Sequence, residues 1–82
     1  SVLSRTAKLL LELSANGVKT VDRRAHPNYQ LAARISTVPE ALSRSLRSLN
    51  AEKSIELTPR TIMVLNTQRL MEVAHVTPFV FS

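Results

Sequence analysis

The apolar residues near the start of the chain recur at helical spacing. Between residues 2 and 15, one face carries Leu3, Ala7, Leu10 and Leu11. Further leucines and a valine widen this apolar stripe beyond the ~100° of an ordinary amphipathic helix. We therefore expect a first helix over 2–15 that contacts both its own domain and something absent from this chain.

Proline and glycine divide the next part of the chain. Gly17 takes a positive φ without steric cost and is expected to end the first helix. Residues 18–25 predict a short strand. Pro27 breaks the chain, and Asn28 is expected to be the N-cap of a short helix. A later proline opens a longer helix over about 39–52, whose buried stripe is formed by Leu42, Leu46 and Leu49.

Apolar and polar residues alternate after this helix. Ile55 and Leu57 alternate with polar neighbours, and the turn Thr58-Pro59-Arg60 separates them from a second β-forming run. Two such runs around a short turn predict a β-hairpin over about 54–65.

A closing helix completes the pattern. Asn66 can cap a helix over about 67–75, and residues 76–82 are expected to form an extended tail. The helix-turn-helix over about 28–52 and the following hairpin, which we call the wing, stand in the order of a winged helix. We therefore predict one α+β domain over 1–82, a winged helix-turn-helix that is mainly helical with a small antiparallel β-hairpin wing.

Charge narrows the class of partner. The chain has 11 Lys and Arg against 6 Asp and Glu, a formal net charge of +5. A basic domain favours polyanions, nucleic acid first and an anionic membrane surface second. There is no cysteine, and no apolar run approaches the ~18 residues of a membrane span. The chain starts without Met or a signal-peptide pattern, so we expect a cytoplasmic protein and a chain cut from something longer.

The helix predicted over 39–52 has polar residues opposite its leucines. At 100° per residue, a sector of about 100° contains Glu40, Ser43, Arg44 and Arg47. A DNA-recognition helix needs this division between an anchored back and a polar front near its N-terminus. The competing interpretation is a solvated face on which Glu40 and Arg44 form a surface ion pair.

These residue types suit the edges of base pairs. Arg44 can donate two parallel hydrogen bonds to guanine O6 and N7, and Glu40 can accept one from cytosine N4. Ser43 is short enough for close approach and can donate or accept. Arg47, one turn further along, is better placed for a phosphate.

Four further residues are candidates for phosphate contacts. Tyr29 and Gln30 begin the first helix of the helix-turn-helix, although Tyr29 fits the core equally well. Arg60 and Thr61 lie at the turn of the wing, where an arginine is more often only solvated.

The helix-turn-helix residues follow a specific order. Leu31-Ala32 is followed by a turn, by Glu40 to Arg44 in the pattern Glu-x-x-Ser-Arg, and by Leu46 and Leu49. This order resembles the C-terminal DNA-binding domain of the Crp/Fnr family of bacterial transcription regulators. The first helix, the wing and the closing helix are also similar, so that the likeness spans about residues 1–75.

The resemblance implies a function and partners. Glu40, Ser43 and Arg44 would be base contacts in sequence-specific binding of double-stranded DNA, typically a palindromic operator. The full family protein has an N-terminal sensor domain and a dimer helix that this chain lacks, and RNA polymerase is a candidate partner. The resemblance implies no cofactor in this domain and no membrane partner. We expect the isolated chain to be monomeric or weakly dimeric.

The chain departs from the family pattern at three positions. Ser36 and Lys53 stand where the family usually has glycine, so a positive φ there has a steric cost. Val38 stands where Ser or Thr usually caps the second helix and removes a cap typically worth ~1 kcal/mol. We expect the fold to persist and the fine specificity to differ.

The remaining polar residues predict no second site. His26 and His75 stand alone, without a partner at metal-ligand spacing, so no metal or catalytic site is predicted. Asp22 beside Arg23-Arg24 is interpreted as a solvated charge cluster.

Two other function classes compete with DNA binding. An enzyme is disfavoured because the sequence has no nucleophile motif, paired acid or glycine-rich phosphate loop. The alternative function is a winged helix used for protein–protein contact, with Phe79 and Phe81 of the tail as a small apolar patch.

Overall fold

The computed structural model describes residues 1–76 and contains four helices and a three-stranded sheet in that range. This α+β winged helix-turn-helix confirms the predicted fold class. Of the expected tail, residues 77–82 with Pro78, Phe79 and Phe81 lie outside the described part. The elements are α1 Val2–Leu13, β1 Val21–Asp22, α2 Asn28–Arg34, α3 Pro39–Ala51, β2 Ile55–Leu57, β3 Thr61–Val64 and α4 Thr67–Ala74.

The sheet is antiparallel, with β3 between β1 and β2. Ile62 of β3 is opposite Leu57 of β2 and Val21 of β1. The strand expected over 18–25 is therefore shorter than predicted. The residues before it continue the loop, since Lys19 N donates to Ser14 O at 2.8 Å and Val18 is 84% exposed.

The core lies between the helices and the inner face of the sheet. Helix α1 packs on α4 and α3, while α2 packs on α3. The largest apolar side chains buried there are Leu10, Leu31, Leu42, Leu46, Leu49, Ile55, Ile62 and Leu70. None of the helices within residues 1–76 is long and apolar enough to cross a membrane.

The wide apolar stripe of α1 is largely covered within the domain. Of the residues that widen the stripe, Leu9 is only 4% exposed, and Val2 and Leu13 are partly buried against the core. Helix α1 contacts two neighbouring helices, α4 and α3, so more of its circumference is covered than on a one-sided surface helix. These two contacts account for most of the wide stripe, and the expected contact of α1 outside this chain stays a prediction.

The first helix ends earlier than predicted. Its last residue is Leu13 rather than residue 15, and the loop then takes positive φ values at Ala15, Asn16 and Gly17. Gly17 has φ +92°, and a Cβ there would collide with the Thr67 hydroxyl of α4. Glycine is thus required for both its backbone angle and the close approach.

The two predicted asparagine caps have different outcomes. Asn66 caps α4 as expected, because its side-chain oxygen accepts from Arg69 N at 2.9 Å. Asn28 was wrongly predicted as the cap of α2: Pro27 is the N-cap, and Asn28 is the first helical residue. Its amide instead bonds to Arg23 and Ser43, so it is not available to cap the helix.

Candidate nucleic-acid interface

Helix α3 has one buried face and one exposed face. Leu42, Leu46 and Leu49 are at most 1% exposed, as the spacing predicted. On the other side Arg44 and Arg47 are exposed and Ser43 is partly buried. An open surface depression is lined by Pro39, Glu40, Ser43, Arg44 and Arg47.

The start of α3 depends on backbone preference rather than on a side-chain cap. Val38 is the N-cap and makes no side-chain cap hydrogen bond, while Pro39 follows at the first helical position. Proline suits this position because its φ is already helical and its missing N–H would have no partner in the helix. Glu40 lies in the first turn, where a negative charge interacts favourably with the helix dipole.

The polar side chains of α3 are available for an external partner. Glu40 and Arg44 do not form the surface ion pair of the competing interpretation. Within residues 1–76 the ion pairs are those of Arg69 with Glu52 and Glu72. The exposed face of α3 therefore has a carboxylate and two guanidinium groups with no protein charge as a partner in that range.

The wing turn is held by the Thr58 hydroxyl. It accepts from Arg60 N at 3.2 Å and from Thr61 N at 2.8 Å, and it lies 2.9 Å from the Thr61 hydroxyl. Thr61 is therefore engaged within the turn, whereas the Arg60 side chain is exposed. Of these two predicted phosphate contacts, Arg60 has the more accessible side chain.

The start of α2 has two exposed side chains. Tyr29 is 65% exposed, and Gln30 is also exposed. Tyr29 therefore does not occupy the core, which was the open alternative for it.

Arg23 connects the parts of the predicted site. One nitrogen of its guanidinium donates to Thr58 O at the wing turn, and the other donates to Asn28 Oδ1 at 3.3 Å. The Asn28 amide nitrogen in turn donates to Ser43 Oγ at 3.3 Å. The start of α2, the middle of α3 and the wing turn are thus joined on one side of the domain.

This role of Arg23 does not follow from the sequence pattern. Asp22, Arg23 and Arg24 were interpreted as a solvated charge cluster, but Arg23 is partly buried and donates at both ends of its guanidinium. Asp22 accepts from Arg24 N at 2.9 Å, which orders the turn. Nothing in the local pattern distinguishes Arg23 from Arg24, because its partners come from distant parts of the chain.

A second polar cluster lies at the far end of α3. Ser54 and Arg69 donate hydrogen bonds to Glu52, and Arg69 also pairs with Glu72 at 3.3 Å. The Ser54 hydroxyl, and then Arg69, lower the pKa of Glu52. The same carboxylates raise the pKa of Arg69. This cluster links the end of α3 to α4. Within residues 1–76, no group of three or more His, Asp or Glu side chains is placed to hold a metal ion.

The comparison with protein families identifies the domain. A family model for the Crp-like helix-turn-helix domain matches residues 4–73, from α1 to α4. The chain belongs to this family. DNA is therefore the partner of this Crp-like domain, which is the DNA-binding part of a transcription regulator. Helix-turn-helix domains of this kind are typically not enzymes and typically need no cofactor. No curated protein and no solved structure matches the chain.

Proposed function

We propose that this Crp-like domain binds DNA sequence-specifically, with α3 in the major groove. The observation that supports this most directly is the division of α3. Its leucines are buried, so the helix is anchored, and its polar residues border an open depression without protein charge partners in residues 1–76. A helix of this kind fits the width of the major groove.

Three residues of α3 are the proposed base contacts. Arg44 would donate to guanine O6 and N7, and Glu40 would accept from cytosine N4. Ser43 lies on the same side of α3, partly buried, and would approach a base edge at short range. Glu40 and Arg44 are one helical turn apart, so they would reach neighbouring base pairs.

Phosphate contacts would orient α3 in the groove. Arg47 lies one turn beyond the base contacts, and Tyr29 and Gln30 are exposed at the start of α2. Arg60 is exposed at the wing turn, and the Thr61 hydroxyl is a weaker candidate because it already contacts Thr58. Such contacts contribute affinity without reading the sequence.

The wider arrangement follows the family pattern. We propose that the regulator binds a palindromic operator as a dimer, under the control of a sensor domain and a dimer helix that precede this domain. Two recognition helices would then occupy major grooves about 34 Å apart. RNA polymerase is a further partner in this proposal.

Selection from randomised DNA tests the proposal. Duplexes of about 20 base pairs with a random core, long enough for two half-sites, are selected with the chain at low salt. Affinity for the enriched and a scrambled duplex is then measured across salt concentrations. We expect one enriched motif and a steep fall of affinity with salt, from phosphate neutralisation. Equal affinity for both duplexes would contradict sequence specificity, and weak, salt-independent binding would favour the protein–protein alternative.

A further inference from the structure

The hydrogen bonds from Arg23 through Asn28 to Ser43 have a defined direction. A guanidinium has only donors, so the amide atom that faces Arg23 must be the Asn28 oxygen. The donor end of the Asn28 amide then faces Ser43. Because Arg23 also donates to the wing backbone at Thr58, its position is held from the other side.

The direction of these bonds determines which hydrogen-bonding groups of the Ser43 hydroxyl remain available. It accepts the bond from Asn28, and within residues 1–76 it donates to no protein atom. Its own proton is therefore available on the exposed side of α3. A serine hydroxyl normally rotates to suit either a donor or an acceptor. Here one of its accepting sites is already taken.

We propose that Arg23 and Asn28 are positioning residues that make Ser43 a hydrogen-bond donor toward DNA. They thereby favour a facing base with an acceptor, because the hydroxyl keeps its proton for DNA while one of its two accepting sites is occupied. In the major groove, guanine, adenine and thymine each present an acceptor, whereas cytosine presents only the N4 donor. Ser43 thus selects against cytosine at its position. This inference rests on the proposed binding of α3 in the major groove.

The substitution Asn28→Asp reverses the direction while keeping the side-chain shape. A carboxylate accepts from both Arg23 and Ser43, so Ser43 would donate inward and present only acceptor sites to DNA. Selection from the randomised duplexes is repeated with the parent, Ser43→Ala, Asn28→Asp and the double variant. The position that loses its preference in Ser43→Ala is the one that faces Ser43.

We expect Asn28→Asp to shift the preference at that position toward a base with a donor, cytosine or adenine, by about 10-fold, the effect of one well-placed hydrogen bond. In the Ser43→Ala background the same change should shift nothing. The added negative charge weakens binding to all sequences alike, so it cannot imitate a shift at a single position.

A second pair of variants does not depend on Asn28→Asp folding. Arg23→Met frees the Asn28 amide to turn over, so the preference at the Ser43 position should weaken by several-fold. Arg24→Met is the matched control, since it removes the same charge from the next residue, whose side chain makes no hydrogen bond to Asn28. It should leave that preference unchanged.

The outcomes separate this inference from the proposed function. If the parent chain enriches no sequence, sequence-specific binding itself fails. If the parent enriches a motif but Asn28→Asp leaves the Ser43 position unchanged, the inference is overturned and the proposed function stands. The same conclusion follows if Arg23→Met behaves as Arg24→Met does, or if Ser43→Ala alters no position.

Discussion

The inner and outer faces of α3 are fixed by different kinds of interaction. The inner face is held by apolar burial, and Leu42, Leu46 and Leu49 are at most 1% exposed. On the outer face Ser43 accepts a hydrogen bond from Asn28, 15 positions away, and Arg23 in turn donates to Asn28. The inner face therefore concerns the stability of the domain, whereas the outer face concerns what the domain binds.

The difference shows how one short helix serves both needs. Burial is proportional to apolar area and is tolerant of side-chain orientation. A base contact, by contrast, requires a donor or acceptor to point in one direction. Substitutions on the two faces should consequently separate stability from selectivity.

Leu46→Ala should disrupt the inner face. Removing a fully buried leucine side chain from a packed core costs roughly 2–5 kcal/mol of unfolding free energy. Urea denaturation measures this loss. The matched control is Leu65→Ala, a leucine that is 52% exposed, where the change should stay within about 0.5 kcal/mol. Equal losses in the two variants would mean that the inner face is wrongly assigned.

Arg44→Ala should alter the outer face without affecting the inner one. Losing a bidentate contact to guanine should relax the preference at one G·C pair in each half-site by about 1–3 kcal/mol. Competition binding against single-base variants of the enriched duplex measures it. The melting temperature should stay near that of the parent. A uniform loss on every sequence would reduce Arg44 to a phosphate contact.

Arg47→Ala should show that the outer face has two functions, phosphate contact and base reading. We expect weaker binding to all sequences and a salt slope that is smaller by about one unit, because one phosphate contact is lost. Titrations at several salt concentrations measure the slope. Arg69→Ala, which removes the same charge near the other end of α3, should leave the slope unchanged. A shifted base preference with a constant slope would reverse the roles of Arg47 and Arg44.

Lys53→Gly should stabilise the turn that follows the last residue of α3. Lys53 has a φ of 68°, which strains every residue except glycine. Relief of this strain, less the greater chain entropy of glycine, should raise the unfolding free energy by about 0.5–1 kcal/mol. Thermal denaturation checks it. Lys53→Ala keeps the strained backbone and should give no such gain; if both variants behave alike, backbone strain is not the cause.

Glu52→Gln should have the smallest effect, and one that depends on pH. Hydrogen bonds from Ser54 and Arg69 lower the pKa of Glu52 below its ordinary value of 4.5. A lowered pKa means that the stabilisation is present above the unfolded pKa and disappears as the pH falls through the folded pKa. Since solvent screens these groups, we expect a melting temperature lower by only about 1–2 °C at pH 7.

The pH dependence provides the control for Glu52. Between pH 7 and pH 3 the difference in melting temperature between the parent and Glu52→Gln should shrink, because the parent carboxylate becomes protonated as the pH falls through its folded pKa. Glu56→Gln removes an exposed carboxylate that forms no ion pair within residues 1–76, and it should change the melting temperature at neither pH. A Glu52→Gln difference that persists at low pH would point to packing instead of charge.

Local patterns predicted the elements better than they predicted helix ends. The stripe of α3, the hairpin and the Asn66 cap follow from spacings of two to four residues, and the structure confirms them. The strand predicted within 18–25 exists but is shorter than expected, and the Asn28 cap was wrong. In both cases contacts from elsewhere decided the outcome: the loop after α1 continues to residue 19, and Asn28 bonds to Arg23 and Ser43.

The family and the fold class could be expected from the sequence alone, because they depend on hydrophobic periodicity and on an ordered set of short motifs. Periodicity also places the residues of α3 on its two faces, since neighbours on a helix are fixed by its geometry. The direction of the Ser43 hydroxyl could not be expected in this way. It depends on Arg23 reaching Thr58, 35 positions away, and that contact exists only once the wing has packed beside the helix-turn-helix.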